Sequence, residues 1–114
     1  MEELRHEEQE LVICMMSDVK GHFLGDKILT RGTATGSLVT PREIFMEALR
    51  RHAVSLILIH NHPSGDPMPS REDILVTQRI REGGSLLGIE LLDHIIIGDN
   101  CYVSLAEQKL LKEK

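Results

Sequence analysis

Aromatic side chains are nearly missing from this sequence: it has no tryptophan, and Phe23, Phe45 and Tyr102 are its only phenyl-bearing residues. A platform on which single-stranded nucleic acid could stack has little to stand on. Positive charge is short as well, with 13 lysines and arginines against 18 aspartates and glutamates and a formal net charge of −5. Neutralising many phosphates needs the opposite excess, so no strong nucleic-acid binding by this domain alone is expected. Long apolar runs are absent too; the stretches 53–59 and 95–97 fall far short of the ~18 residues that a membrane span requires. Cysteine is scarce, and Cys14 and Cys101 stand too far apart to read as a short-spaced framework. Reduced thiols acting as small apolar core residues in a cytoplasmic protein are the expectation. The acidic opening Met1-Glu2-Glu3-Leu4-Arg5-His6 has no apolar segment of the secretory kind, so export is not expected.

What remains is an ordinary globular composition, 41% hydrophobic and 27% charged, in a length that suits one domain. No repeat or Pro/Gly-rich linker divides it, and it reads as a short extension over residues 1–9 followed by a single domain over 10–114. The apolar run Leu11 to Met16 has the pattern of a strand buried on both faces. His22 to Thr30 is a more polar strand able to pair with it as a hairpin. Thr40-Pro41-Arg42-Glu43 combines a capping box with proline at the first helical position, so a helix begins there and runs to about Arg51. Ile44, Phe45, Ala48 and Leu49 form its apolar stripe. Val54 to His60 is a second apolar strand. Ser70-Arg71-Glu72-Asp73 starts another helix, which Gly83-Gly84 is expected to stop. Leu86 to Gly98 supplies a third strand, Cys101 to Ser104 a short fourth, and Ala106 to Lys114 a helical tail. This alternation implies a three-layer α/β domain in which helices flank a mixed sheet.

The residues that carry chemistry follow the second strand. If the chain stays extended past His60, the imidazoles of His60 and His62 project to the same side, because side-chain direction repeats every second residue. Asp73 lies in the first turn of the next helix, and the prolines between stiffen a loop able to bring it back to that spot. Two histidines and a carboxylate leave a fourth tetrahedral position open, the pattern of a catalytic zinc site. Zinc lowers the pKa of its water from about 15.7 to about 7, and hydrolysis still needs a group to take and return the proton. Glu10, Glu43 and Glu72 are the candidates. Glu10 leads: it stands at the mouth of a buried strand, where a charge has no packing reason to be, whereas Glu43 is already the partner in a helix cap. Ser70, three residues before Asp73, carries a hydroxyl suited to an oxyanion or to the water.

These residues resemble a known family. His60-Asn61-His62-Pro63, six further residues and Ser70-Arg71-Glu72-Asp73 match the JAMM (MPN+/JAB) metalloprotease signature H-x-H-P-x6-S-x-x-D without a gap. The wider text, from VTPREIFMEAL through HNHPSGDPMPSREDI to LLDHIIIG and YVS, is similar to the C-terminal domain of the bacterial RadC family, historically described as DNA repair proteins. The resemblance implies a mixed sheet flanked by helices, akin to cytidine deaminase. It also implies one zinc per chain on His60, His62 and Asp73, with Ser70 assisting the water and oxyanion. The family's upstream glutamate falls on Glu10, or on Glu8 if the match shifts. JAMM enzymes split isopeptide bonds, so the resemblance implies a peptide or protein substrate; RadC members have no settled one. Full-length RadC proteins carry an N-terminal helix-hairpin-helix segment, and no trace of it precedes Glu10.

Plainer readings compete. Ser70 and Asp73 also fit a helix-start pattern whose only task is to satisfy backbone N–H groups. Asp93-His94 interrupts an apolar run and reads as a hydrogen-bonded pair, supporting the site or the fold. Asn61 between two histidines could suggest an HNH nuclease, but that name describes histidines separated by tens of residues in a ββα fold, so the adjacency is taken as coincidence. At the level of function the rival is a non-catalytic interaction module in DNA repair or recombination, its metal a structural clip. Strand edges leave room for a homodimer.

Overall fold

A computed structural model of the chain describes residues 10–32 and 40–108. The first apolar run becomes β1 (Glu10–Ser17), which turns into the antiparallel β2 (Phe23–Gly32). The proline-started helix is α1 (Pro41–Arg50); Thr40 caps it, its Oγ1 accepting from Glu43 N–H at 3.4 Å. There follow β3 (Ser55–Asn61), α2 (Arg71–Leu87), β4 (Glu90–Ile97) and the short β5 (Tyr102–Ser104).

The strands form one sheet in the order β2-β1-β3-β4-β5. All neighbouring pairs are antiparallel except β3 and β4, and a parallel pair needs a long crossover, here supplied by α2. The domain is α/β with a mixed sheet, as the alternation of patterns implies. Residues of alternating parity on β1 serve opposite faces. Val12, Cys14 and Met16 join Leu56 and Leu58 of β3 beneath Ile44, Phe45 and Ala48 of α1 and Ile80 of α2. Leu11 instead joins Ile59 and Ile97 on the other side, with Ile13, Met15, Ile57 and Ile95 half-buried around them. Among the described residues both helices lie on the first face. Burying an isoleucine or leucine fully contributes about 1.5–3 kcal/mol, so this helix-covered core fixes where β3 ends and α2 begins.

Five expectations are corrected. Gly83-Gly84 does not stop α2, which continues to Leu87 and ends on Gly88 in the left-handed conformation. The two glycines serve packing instead: a Cβ on Gly84 would lie 2.1 Å from the Ile89 carbonyl oxygen, and one on Gly83 would lie 2.9 Å from the Phe45 ring. The third strand consequently starts at Glu90, not Leu86. Leu49, placed on the buried stripe of α1, is 53% exposed, since α1 turns only Ile44, Phe45 and Ala48 fully inward. Cys14 is a buried core residue, and burial first, then Glu47, pushes its thiol up to about 12, but Cys101 is exposed. Of the expected C-terminal helix, residues 105–108 form a turn and 109–114 lie outside the described residues.

The glycine contact is testable. Gly84→Ala is expected to lower the unfolding free energy in urea by about 3 kcal/mol, because backbone must yield. Leu87→Ala, on the exposed end of the same helix, should change it by ~0.5 kcal/mol or less. Equal losses at the two positions would remove the packing explanation for the glycines.

Candidate metal centre

The site forms where β3 ends and α2 begins. Beyond Asn61 the backbone remains extended for one more residue, since His62 N–H donates to Ile97 O at 2.9 Å and prolongs the β3–β4 ladder. Both imidazoles therefore emerge on one side, their ring centroids 4.8 Å apart and their planes at 89°. The chain then turns sharply, with Gly65 N–H donating to His62 O, and Gly65 adopts φ +89°. Its carbonyl accepts from Asp99 N–H at 2.8 Å. Only glycine fits at position 98, where a Cβ would lie 2.3 Å from that same carbonyl oxygen. This docking presents the Asp66 carbonyl to His62, whose Nδ1 donates to it at 3.0 Å. A donating Nδ1 leaves Nε2 with its lone pair toward the site, the tautomer that a metal ligand requires.

Asp73 arrives from the other side. Ser70 caps α2 in a complete capping box: its Oγ accepts from Asp73 N–H at 3.0 Å, and Ser70 N–H donates to Asp73 Oδ2 at 2.8 Å. The helix-start reading of these two residues is thus correct, and it coexists with the other. Asp73 Oδ2 lies 3.0 Å from His62 Nε2, and Oδ1 lies 3.5 Å from His60 Nδ1. Burial opposes the charge on Asp73, yet His62, the Ser70 N–H and His60 together hold its carboxyl well below the usual carboxylate range. One donor atom from each of His60, His62 and Asp73 lies within 4.8 Å of the others.

The donor set fits a cation. Both nitrogens of His62 face oxygen acceptors, Asp66 O and Asp73 Oδ2. With Nδ1 donating to the first, the approach of Nε2 to a carboxylate needs a positive centre between them, a proton or a metal. Two imidazoles and a carboxylate are a donor set that divalent metal ions accept. Neither Glu43 nor Glu72 belongs to the cluster. Glu43 borders a cleft of about 270 Å³ with Lys27, Ile28, Met46 and Glu47, and Glu72 is exposed in the first turn of α2. Glu10 opens β1, two residues before Val12, whose cross-strand partner is His60. The side chain of Glu10, and all of Glu8, lie outside the described residues.

Sequence reasoning missed Thr77 entirely. One turn beyond Asp73, its hydroxyl donates to Asp73 O at 2.7 Å and accepts from His94 Nδ1 at 2.6 Å. His94 is 3% exposed and stacks on His60, with centroids 5.7 Å apart and planes at 20°. Its Nε2 has no hydrogen-bond partner among the described residues. Burial first, then the neighbouring His60, lowers its pKa to about 4, so the ring is a neutral brace behind the site. Asp93 works away from His94's ring. Its carboxylate accepts from Ser104 Oγ at 2.5 Å and from the N–H groups of Ala106 and His94, tying β5 to β4. The pair flagged in sequence is therefore two separate devices. A threonine four residues after a helix-start aspartate was the available signal for Thr77.

A family model described as the RadC-like JAB domain matches residues 1–110. The chain belongs to the RadC-like JAB domain family. A UPF0758 protein of Desulfitobacterium hafniense is 52% identical over 111 residues, covering 97% of this chain and 49% of its own length. One from Halalkalibacterium halodurans is 55% identical over 108 residues, covering 95% of this chain and 47% of its own. A third, from Methanosarcina mazei, is 49% identical over 109 residues, covering 96% and 48%. This RadC-like chain spans about half the length of the curated relatives it matches. Among its described residues no helix is long and apolar enough to cross a membrane.

The buried brace gives the site a pH signature. An unfolded histidine takes up its proton near pH 6.5, whereas folded His94 does so only near 4. Between those values the unfolded state binds more protons, so His94 withdraws stability as pH falls through that window. In metal-free urea titrations, His94→Gln is expected to lose stability less steeply than the unmodified chain between pH 6.5 and 4. Equal slopes would show that the ring is not held neutral.

Proposed function

We propose that this chain is a metal-dependent hydrolase of peptide or isopeptide bonds that holds one zinc ion on His60, His62 and Asp73. The observation that carries the reading is the convergence of donors from two elements: a strand end and a helix start bring three ligand atoms within 4.8 Å. Carboxyl ends of parallel strands facing helix N-termini are where open α/β sheets place their ligands. When bound, a divalent ion supplies a Lewis acid and a water acidic enough to lose its proton near neutral pH.

The chain's own groups do the rest. Asp66 O fixes the ring of His62, and the first turn of α2 favours the negative charge on Asp73. Ser70 accepts the Asp73 N–H through its lone pair, so its own hydroxyl proton is available to donate to an oxygen that gains negative charge during acyl transfer. Ser70 is exposed, which puts that donor on the side a substrate reaches. Glu10 takes the proton from the attacking water and returns it to the leaving amine. A net charge of −5 favours a peptide or protein substrate over nucleic acid, and the free cysteines Cys14 and Cys101 accord with a cytoplasmic location.

Metal analysis and hydrolysis of a peptide library test these roles separately. His60→Ala is expected to lose the metal; stoichiometric zinc in that variant refutes the ligand set. Glu10→Gln should keep zinc while turnover falls by about 10²–10⁴. Ser70→Ala should lose about 10²–10³ in turnover and, with its helix cap gone, ~1 kcal/mol of stability. Full activity in Glu10→Gln or Ser70→Ala would remove that residue from the mechanism, whereas no zinc-dependent hydrolysis by the unmodified chain, with unfolding on chelation, would leave the metal as a structural clip in an interaction module.

A further inference from the structure

Asn61 stands between the two histidines, and strand alternation sends its side chain to the opposite sheet face, the one that carries Leu11, Ile59 and Ile97. It is 1% exposed, a costly place for an amide unless its polar atoms are bonded. Its Oδ1 accepts from Leu11 N–H at 2.5 Å, across 50 residues of sequence. Backbone pairing of β1 with β3 runs from Ser17↔Ser55 to Val12↔His60, while β1 stays paired with β2 through Leu11↔Arg31 and Glu10↔Gly32. The Asn61 side chain therefore adds a rung beyond Val12↔His60, the last main-chain pair between β1 and β3 among the described residues. The nitrogen it holds belongs to the peptide bond between Glu10 and Leu11, and a planar peptide moves as one body.

We infer that Asn61 is a positioning residue: its amide oxygen tethers the Glu10–Leu11 peptide to the strand bearing His60 and His62, and so sets where Glu10 stands relative to the metal donors. The inference rests on the reading of Glu10 as the base. The residue type follows from the site. Leucine would suit the apolar face but orphan the Leu11 N–H, aspartate would accept the bond but bury a charge, and serine is too short to span the gap between strands. Asparagine supplies a neutral acceptor of the right reach.

Two measurements test the tether. In the isotopically labelled 114-residue chain, a through-hydrogen-bond coupling is expected between the Leu11 amide nitrogen and the Asn61 side-chain carbonyl carbon, with slow exchange of that amide. Coupling to a backbone carbonyl instead, or exchange at the open-chain rate, would overturn the inference without any variant. Asn61→Ser is then expected to bind zinc within about twofold of the unmodified affinity, while kcat on a peptide selected from the library falls about 10²-fold at unchanged KM, the scale of a 1 Å misplacement. In a Glu10→Gln background the same change should cost nothing further; an undiminished loss there would overturn the tether. Full turnover in Glu10→Gln alone strikes the base assignment instead, and the Leu11–Asn61 coupling still decides the tether by itself.

Discussion

A carboxylate kept ionised between two imidazoles is the contact on which the rest of this structure depends. Asp73 is partly withdrawn from water, which by itself would favour its neutral form. His62, the Ser70 N–H and His60 reverse that preference. The first turn of α2 adds the favourable end of the helix dipole. The arrangement has a topological cause. A single parallel pair, β3 and β4, forces a helical crossover, and that crossover must begin where β3 ends. The strand that carries His60 and the helix that carries Asp73 are thereby brought tip to tip.

Around that contact the polar groups are arranged in depth. Thr77 joins the Asp73 carbonyl to His94, and His94 lies flat against His60. Asp66 O holds the far nitrogen of His62, and its loop is pressed so closely on β4 that residue 98 is glycine. Most of these partners lie far from one another in sequence. Rigid placement of the donors matters because a ligand set that must be gathered at the moment of binding gives up affinity to ordering. The sheet supports this on both faces: a helix-covered core lies under β1 and β3, and a second apolar cluster lies opposite, with Asn61 at its edge.

Much of the fold was legible because local rules operate locally. Continuous apolar runs became β1 and β3, Thr40-Pro41 opened α1 and Ser70 capped α2. The errors share one origin. Gly83 and Gly84 carry the local signal of a helix stop, but the neighbour that makes them glycine, the Ile89 backbone or the Phe45 ring, is set by packing. Leu49 fits the periodicity of α1 and still faces solvent, since the arc a helix buries is decided by what lies beneath it. Cys101 is exposed for the same kind of reason.

By itself the sequence determined the alternation of elements and the spacing His60-x-His62 with Asp73 at a helix start, because strand period and helix capping are properties of a few consecutive residues. Tertiary structure alone decided which carbonyl orients His62, that Thr77 and His94 stand behind the donors, and that Asn61 reaches across to Leu11. Thr77 and His94 are 17 positions apart and Leu11 and Asn61 are 50, and even the four-residue step from His62 to Asp66 is shaped by the docking of Gly65 on Asp99. Only the order and register of the strands brings these groups within a hydrogen bond's length.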